Sequence, residues 1–141
     1  MSKVKIAKTG YNADTETDER NFLFNQKSIF KIKDSGSKTV AVTYVDNGFG
    51  EALGIATGEI THSLGYVPIG FVFWANVEGA GTIGTQIPTF IPVGAGVAIS
   101  LSYRLDDTKL YIDVVDSAVY GSIGDTIDFE FKYMIFYDKI I

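Results

Sequence analysis

The chain has 141 residues, 46% of them hydrophobic, no cysteine, and a formal net charge of −5 at pH 7. That length suits one domain able to bury a core unaided; the lack of cysteine excludes disulfides and thiolate metal sites. The acidic balance disfavours nucleic-acid backbones and anionic membranes, which reward lysine and arginine, so neither is an expected partner.

Taken in chain order, the amino-terminal MSKVKIAKTGYN has no long apolar run after its lysines, so no secretory signal is expected there. Period-two patterning then predicts strands over residues 4–8, 21–24, 28–33, 38–45, 58–63 and 70–76. No segment holds a helical stripe over ten residues. Residues 79–96, rich in glycine and proline, read as a long flexible or partner-ordered loop, with Gly79, Gly81, Gly84, Pro88 and Pro92 as its candidate contact residues. The apolar stretches around it are too short and too broken to span a bilayer.

The clearest element is a hairpin over residues 97–115. Val97, Ile99, Leu101, Tyr103 and Leu105 alternate with Ala98, Ser100, Ser102 and Arg104, and Leu110, Ile112 and Val114 continue the apolar face. A tight turn at Asp106-Asp107 would set Tyr103 opposite Leu110, Leu101 opposite Ile112 and Ile99 opposite Val114.

A last strand is predicted over residues 126–138. One face carries Ile127, Phe129, Phe131, Tyr133, Ile135 and Tyr137. The other begins with Asp128, Glu130 and Lys132 but ends with Met134 and Phe136, so its second half needs cover from the chain itself or from a neighbour. Met134, Phe136, Ile140 and Ile141 are therefore the candidate oligomer interface. The fold expected is all-β, an antiparallel, jelly-roll-like β-sandwich, as a single domain over residues 1–141 with residues 1–20 as a candidate extended arm.

Motifs that carry chemistry are few. Gly79-Ala80-Gly81-Thr82-Ile83-Gly84 matches G-x-G-x-x-G, but a pyrophosphate site needs a helix to start there, and Pro88 and Pro92 forbid one. Asp14-Thr15-Glu16-Thr17-Asp18 starts like a calcium loop, yet Glu19 stands where glycine is required and Asn25 where glutamate is. Asp106, Asp107, Asp113 and Asp116 read as turn and strand-surface carboxylates rather than a glycosidase pair. One histidine and no cysteine leave no zinc set. No metal, cofactor or catalytic residue is expected. His62, in Ile60-Thr61-His62-Ser63-Leu64-Gly65-Tyr66-Val67-Pro68, reads as part of a structural corner with Gly65, Tyr66 and Pro68. The strand is expected to end at Leu64, Gly65 to take φ > 0, and Val67-Pro68 to restart extended chain.

That I-T-H-x-L-G-Y-x-P corner, followed by an apolar strand, resembles a module of small bacteriophage virion proteins. The amino-terminal Lys8-Thr9-Gly10-Tyr11-Asn12 is similar to the Lys-(Pro)-Gly-Tyr-Asp stretch of such proteins, with Thr9 and Asn12 as departures. The resemblance implies a non-enzymatic β-sandwich virion component, of the capsid-decoration, head-fibre or tail-fibre kind, assembled in the host cytoplasm. It implies contacts with other virion proteins and with its own copies, commonly as a trimer. The alternative is a lectin-like carbohydrate-binding module recognising a host-surface glycan, with Trp74 and Tyr111 as candidate stacking rings.

Overall fold

The computed structural model of the chain describes residues 5–7, 22–25, 32–94 and 96–139; the first two stretches, Thr82 and residues 138–139 are described by their backbone. The described residues form ten strands and no helix. The chain divides into two compact units, Met1–Lys31 and Ile32–Ile141. In the first, β1 (Lys5–Ala7) pairs antiparallel with β2 (Phe22–Asn25). Of residues 1–20, read as a candidate arm, β1 is the described part. The acidic run 14–18 lies outside the described residues, as do Ile140 and Ile141.

The second unit holds β3 (Ile32–Asp46), β4 (Ala52–Thr61), β5 (Pro68–Val77), β6 (Gly81–Gln86), β7 (Thr89–Gly94), β8 (Val97–Leu105), β9 (Lys109–Ser117) and β10 (Thr126–Lys139). They form one antiparallel ladder in the order β6-β5-β10-β3-β4-β9-β8-β7. β3 belongs to both halves: Ile32 to Thr43 pair with β10, and Tyr44 to Asp46 with β4. The two ends of the ladder, β6 and β7, are separated in sequence by Ile87 and Pro88 alone. A two-residue link cannot span an open eight-stranded sheet, at about 4.8 Å per strand. The ladder must therefore fold over on itself, and the result is a nearly closed antiparallel sandwich.

Between the halves lie Val42, Tyr44, Val72, Trp74, Phe129 and Phe131 from one side and Ile99, Leu101, Leu110, Ile112 and Val114 from the other, none more than 1% exposed. Tyr103 ties the halves together, its hydroxyl donating to the Gly70 carbonyl at 3.0 Å. Trp74 and Val77 are both buried despite odd spacing. Ala75 is an extra residue there: Phe131 pairs with Trp74 while its neighbour Glu130 pairs with Asn76. A β-bulge of this kind resets which side chains point inward.

The structure corrects four of the strand and turn expectations. First, the hairpin 97–115 has the predicted buried face but a register two residues away, with Leu105 opposite Leu110, Tyr103 opposite Ile112 and Leu101 opposite Val114. Its connection is longer than a two-residue turn because the Asp106 carboxylate gathers the N–H groups of Thr108 and Lys109, and Asp106 N–H donates to the Lys109 carbonyl. An even shift leaves every side chain on its face. Second, the described residues of the stretch 79–96 are mostly strand rather than loop. Gly79 lies in a turn, Gly81 and Gly84 lie in edge strand β6, Pro88 follows the buried Ile87, and Pro92 lies in edge strand β7. An edge strand tolerates proline because one side of it needs no ladder hydrogen bond.

Third, β3 is continuous where strands 28–33 and 38–45 were separated. Ser35, Gly36, Ser37 and Lys38 pair residue by residue with Met134 to Phe131 of β10, and that ladder overrides their weak strand propensity. Fourth, β4 begins at Ala52 and ends at Thr61, earlier at both ends than the strand predicted over 58–63. Its inward positions include Ala52, Gly54 and Gly58, which are too small to register as an apolar face. Space dictates them: a Cβ on Gly54 would lie 2.5 Å from Val42 Cγ1, and one on Gly58 2.5 Å from Val40 Cγ2.

Candidate functional site

The corner after β4 is built from backbone and one imidazole. His62 is 4% exposed. Leu64 N–H donates to its Nδ1 at 3.2 Å, which leaves Nε2 to carry the proton and donate to the Asp106 carbonyl at 3.1 Å. The backbone repeats the join, with His62 N–H and Ser63 N–H donating to the Thr108 carbonyl and Gly65 N–H to that of Asp107. Gly65 takes φ 72°, as the sequence implied, and Ser63 also turns left-handed at φ 54°. The Tyr66 hydroxyl donates to the carbonyl of Tyr137 near the end of β10. Pro68 is buried and starts β5. Both imidazole nitrogens are thus engaged with main chain, and the corner clamps the end of β4 to the β8–β9 turn.

The carboxylates divide by role. Asp106 Oδ1 accepts from Thr108 N–H, Thr108 hydroxyl and Lys109 N–H, and its Oδ2 from the Tyr111 hydroxyl. The two backbone donors hold the Asp106 carboxyl well below the usual carboxylate range. Asp113 accepts from Thr57 at 2.7 Å and pairs with Arg104 at 3.3 Å on the solvent side of the sheet. Asp116, expected at the surface, is instead fully buried. It follows Leu110, Ile112 and Val114 on the inward parity of β9, a placement the alternation of the strand already contains. Its carboxylate accepts from the Tyr44 hydroxyl, Val119 N–H at 2.9 Å and Tyr120 N–H at 3.0 Å. Burial, with the adjacent Asp116 carboxylate, pushes the Tyr44 hydroxyl far above the usual tyrosine range. Sequence reasoning missed this pair, and its partners mark it as an internal brace.

The two rings proposed for carbohydrate stacking are separated and engaged. Trp74 is 1% exposed, stacked on Phe129 at 6.1 Å and met edge-on by Tyr120 at 5.8 Å. Tyr111 carries the Arg104 guanidinium 3.9 Å above its ring.

On the last strand, Met134 is half-buried and lines an open groove of about 420 Å³ with Gly36, Phe73, Lys132 and Tyr133. Phe136 is 8% exposed, with the Phe71 ring edge-on at 6.0 Å. The register against β3 shifts between Ile135 and Phe136, so the alternation breaks and both are buried. No second copy is needed to cover Phe136.

Among the described residues, no three His, Cys, Asp or Glu side chains come together as a metal site, and no helix is long and apolar enough to cross a membrane. No protein-family model, no curated protein and no solved structure matches the chain.

Proposed function

We propose that the chain is a non-enzymatic structural component of a bacteriophage virion, of the capsid-decoration, head-fibre or tail-fibre kind, acting through protein–protein surfaces. The observation that carries this reading is the His62 corner. Its sequence resembles a module of phage virion proteins, and its imidazole gives both nitrogens to backbone groups, at Asp106 and Leu64, as a structural joint does. A histidine so engaged has no nitrogen left to act as a general base without breaking the corner.

Self-association, as a trimer by the same resemblance, and location in the virion belong to this proposal. The carbohydrate-binding alternative has less support, since Trp74 is enclosed in the core and Arg104 covers one face of Tyr111. The test is co-sedimentation of the purified chain with purified phage capsids and, separately, with purified tails. Saturable binding to one of them is expected. Binding to neither, with retention on an immobilised host glycan, would replace the virion reading with the carbohydrate one.

A further inference from the structure

The outward face of the β3–β4–β9–β8–β7 half is divided across its middle. Residues paired in register share a face, so its rows can be followed strand by strand. Glu59, Tyr111 and Arg104 form one row, and Thr57, Asp113 and Ser102 the next. These two rows are polar and internally satisfied, with Lys109 on Glu59 and Arg104 on Asp113. Beyond them the character reverses. Ile55 pairs with Val115, Val115 with Ser100, and Ser100 with Phe90; in the last row Val45 pairs with Leu53. Ile55 is 63% exposed, Phe90 65%, Val45 57% and Val115 37%. No charged residue occupies an outward position of these two rows.

The strip ends at the β3–β4 connection, where Phe49 is 88% exposed. That connection is held in one shape. Asp46 Oδ1 accepts from Gly48 N–H and Gly50 N–H, Asn47 Oδ1 from Phe49 N–H and Glu51 N–H, and Asn47 N–H donates to the Glu51 carbonyl. Gly48 and Gly50, on either side of Phe49, take φ 92° and 80°. A large ring fixed in water by its backbone is preorganised in the way that interface anchors are.

The geometry points to this strip as the contact between copies of the chain, with Phe49 as its anchor. Area and charge select the occupant. The five side chains Val45, Phe49, Ile55, Phe90 and Val115 expose on the order of 100 Å² each, about 500 Å² of apolar surface. A standard interface buries about 800 Å² per partner, and homodimer contacts are roughly two-thirds apolar, so the strip supplies the apolar share of one. Each copy carries −5, and the two rows of the strip let copies meet without setting carboxylate against carboxylate. The carboxylates nearest the strip, Asp46 and Glu51, are held by the connection's own donors, Gly48 and Gly50 N–H on the first and the Asn47 side-chain amide on the second. Salt should therefore favour association by screening the net repulsion. The inference deepens the self-association in the proposed function and stands independently of the virion assignment.

The test is the mass of the full chain by light scattering at micromolar concentration, at low and at physiological salt. The parent should run at a multiple of its 15.4 kDa, more completely at the higher salt. Ile55→Lys and Phe49→Ser, both at solvent-facing positions, should run as single chains with unchanged far-ultraviolet circular dichroism. Thr57→Lys, on the polar rows, should keep the parent's mass. A parent that runs as a single chain, or a multiple that survives both strip variants, overturns the proposal. So does a single-chain parent that floats with phosphatidylcholine vesicles in a Phe49-dependent way. Capsid and tail binding is measured separately, so failure of the virion reading leaves this result standing.

Discussion

The hydroxyl of Tyr44, on β3, donates to the carboxylate of Asp116, on β9, inside the sealed core. The bond joins the strand shared by both halves of the sandwich to the strand two places away in the ladder. Tyr44→Phe removes one of the three donors to a buried carboxylate and should lower stability by roughly 1–3 kcal/mol in urea unfolding. The Tyr44 hydroxyl is raised above its ordinary value of 10.0 when folded. A raised group contributes stability that is intact below the unfolded pKa and is lost as pH rises. The parent should therefore lose stability above about pH 10, more steeply than Tyr44→Phe, as judged by melts taken through the alkaline range.

His62 gives a second test, of bonding and of tautomer. With Leu64 N–H donating to Nδ1, the neutral ring must carry its proton on Nε2. Nitrogen-15 shifts of the imidazole at neutral pH should show that tautomer as dominant. His62→Ala should cost about 1 kcal/mol or more, by lost buried hydrogen bonds, in thermal or urea unfolding. A variant as stable as the parent would mean that the corner does not depend on its imidazole.

Asp106 governs the acid limb. Its carboxyl is lowered from 3.8 first by the Thr108 and Lys109 N–H groups. A lowered group contributes stability above its unfolded pKa and loses it as pH falls through the folded value. Asp106→Asn should therefore be less stable than the parent at neutral pH, and the gap should narrow below about pH 4. Paired urea titrations at pH 7 and pH 3 measure this directly. A constant gap would assign the turn's stability to something other than the ionised carboxylate.

How much of this was legible in the sequence depends on which physical signal each segment carries. The faces of hairpin 97–115 could be read because large apolar residues alternate with polar ones. Its register could not, because a turn gathered by the Asp106 side chain differs by two residues from a tight turn, and an even slip leaves the pattern unchanged. The corner at His62 announced itself through Gly65 and Pro68. β6 and β7 were hidden by the glycines and prolines that edge strands tolerate. Asp116 was misplaced because strand parity was applied to its apolar neighbours and not to the acid that follows them. β4 misled most: its outward Leu53 and Ile55 are larger than its inward Ala52, Gly54 and Gly58, so hydropathy and burial disagree. The same inversion produces the apolar strip on the outer face, which sequence reasoning therefore missed.

That inversion can be tested at its cause. Gly54 is buried because Val42 and Tyr44 on β3 occupy the space its side chain would fill; an added Cβ would lie 2.5 Å from Val42 Cγ1 and 2.9 Å from Tyr44 Cε1. Contacts that short require a shift of side chain or backbone. Gly54→Ala should accordingly destabilise by about 1–3 kcal/mol, as overpacking does, although alanine suits a strand no worse than glycine. Val42→Ala alone should also destabilise, by leaving a cavity. Together the two changes relieve each other, because the methyl introduced at Gly54 enters volume that Val42 vacates. The double variant should be more stable than the sum of the single losses predicts, by about 0.5–3 kcal/mol of coupling. Urea unfolding of the four proteins closes the cycle. Additive losses would show that Gly54 is small for a reason other than the approach of Val42. A coupled loss would establish that the large residues of β3 determine the small ones of β4, and thereby turn Leu53 and Ile55 outward.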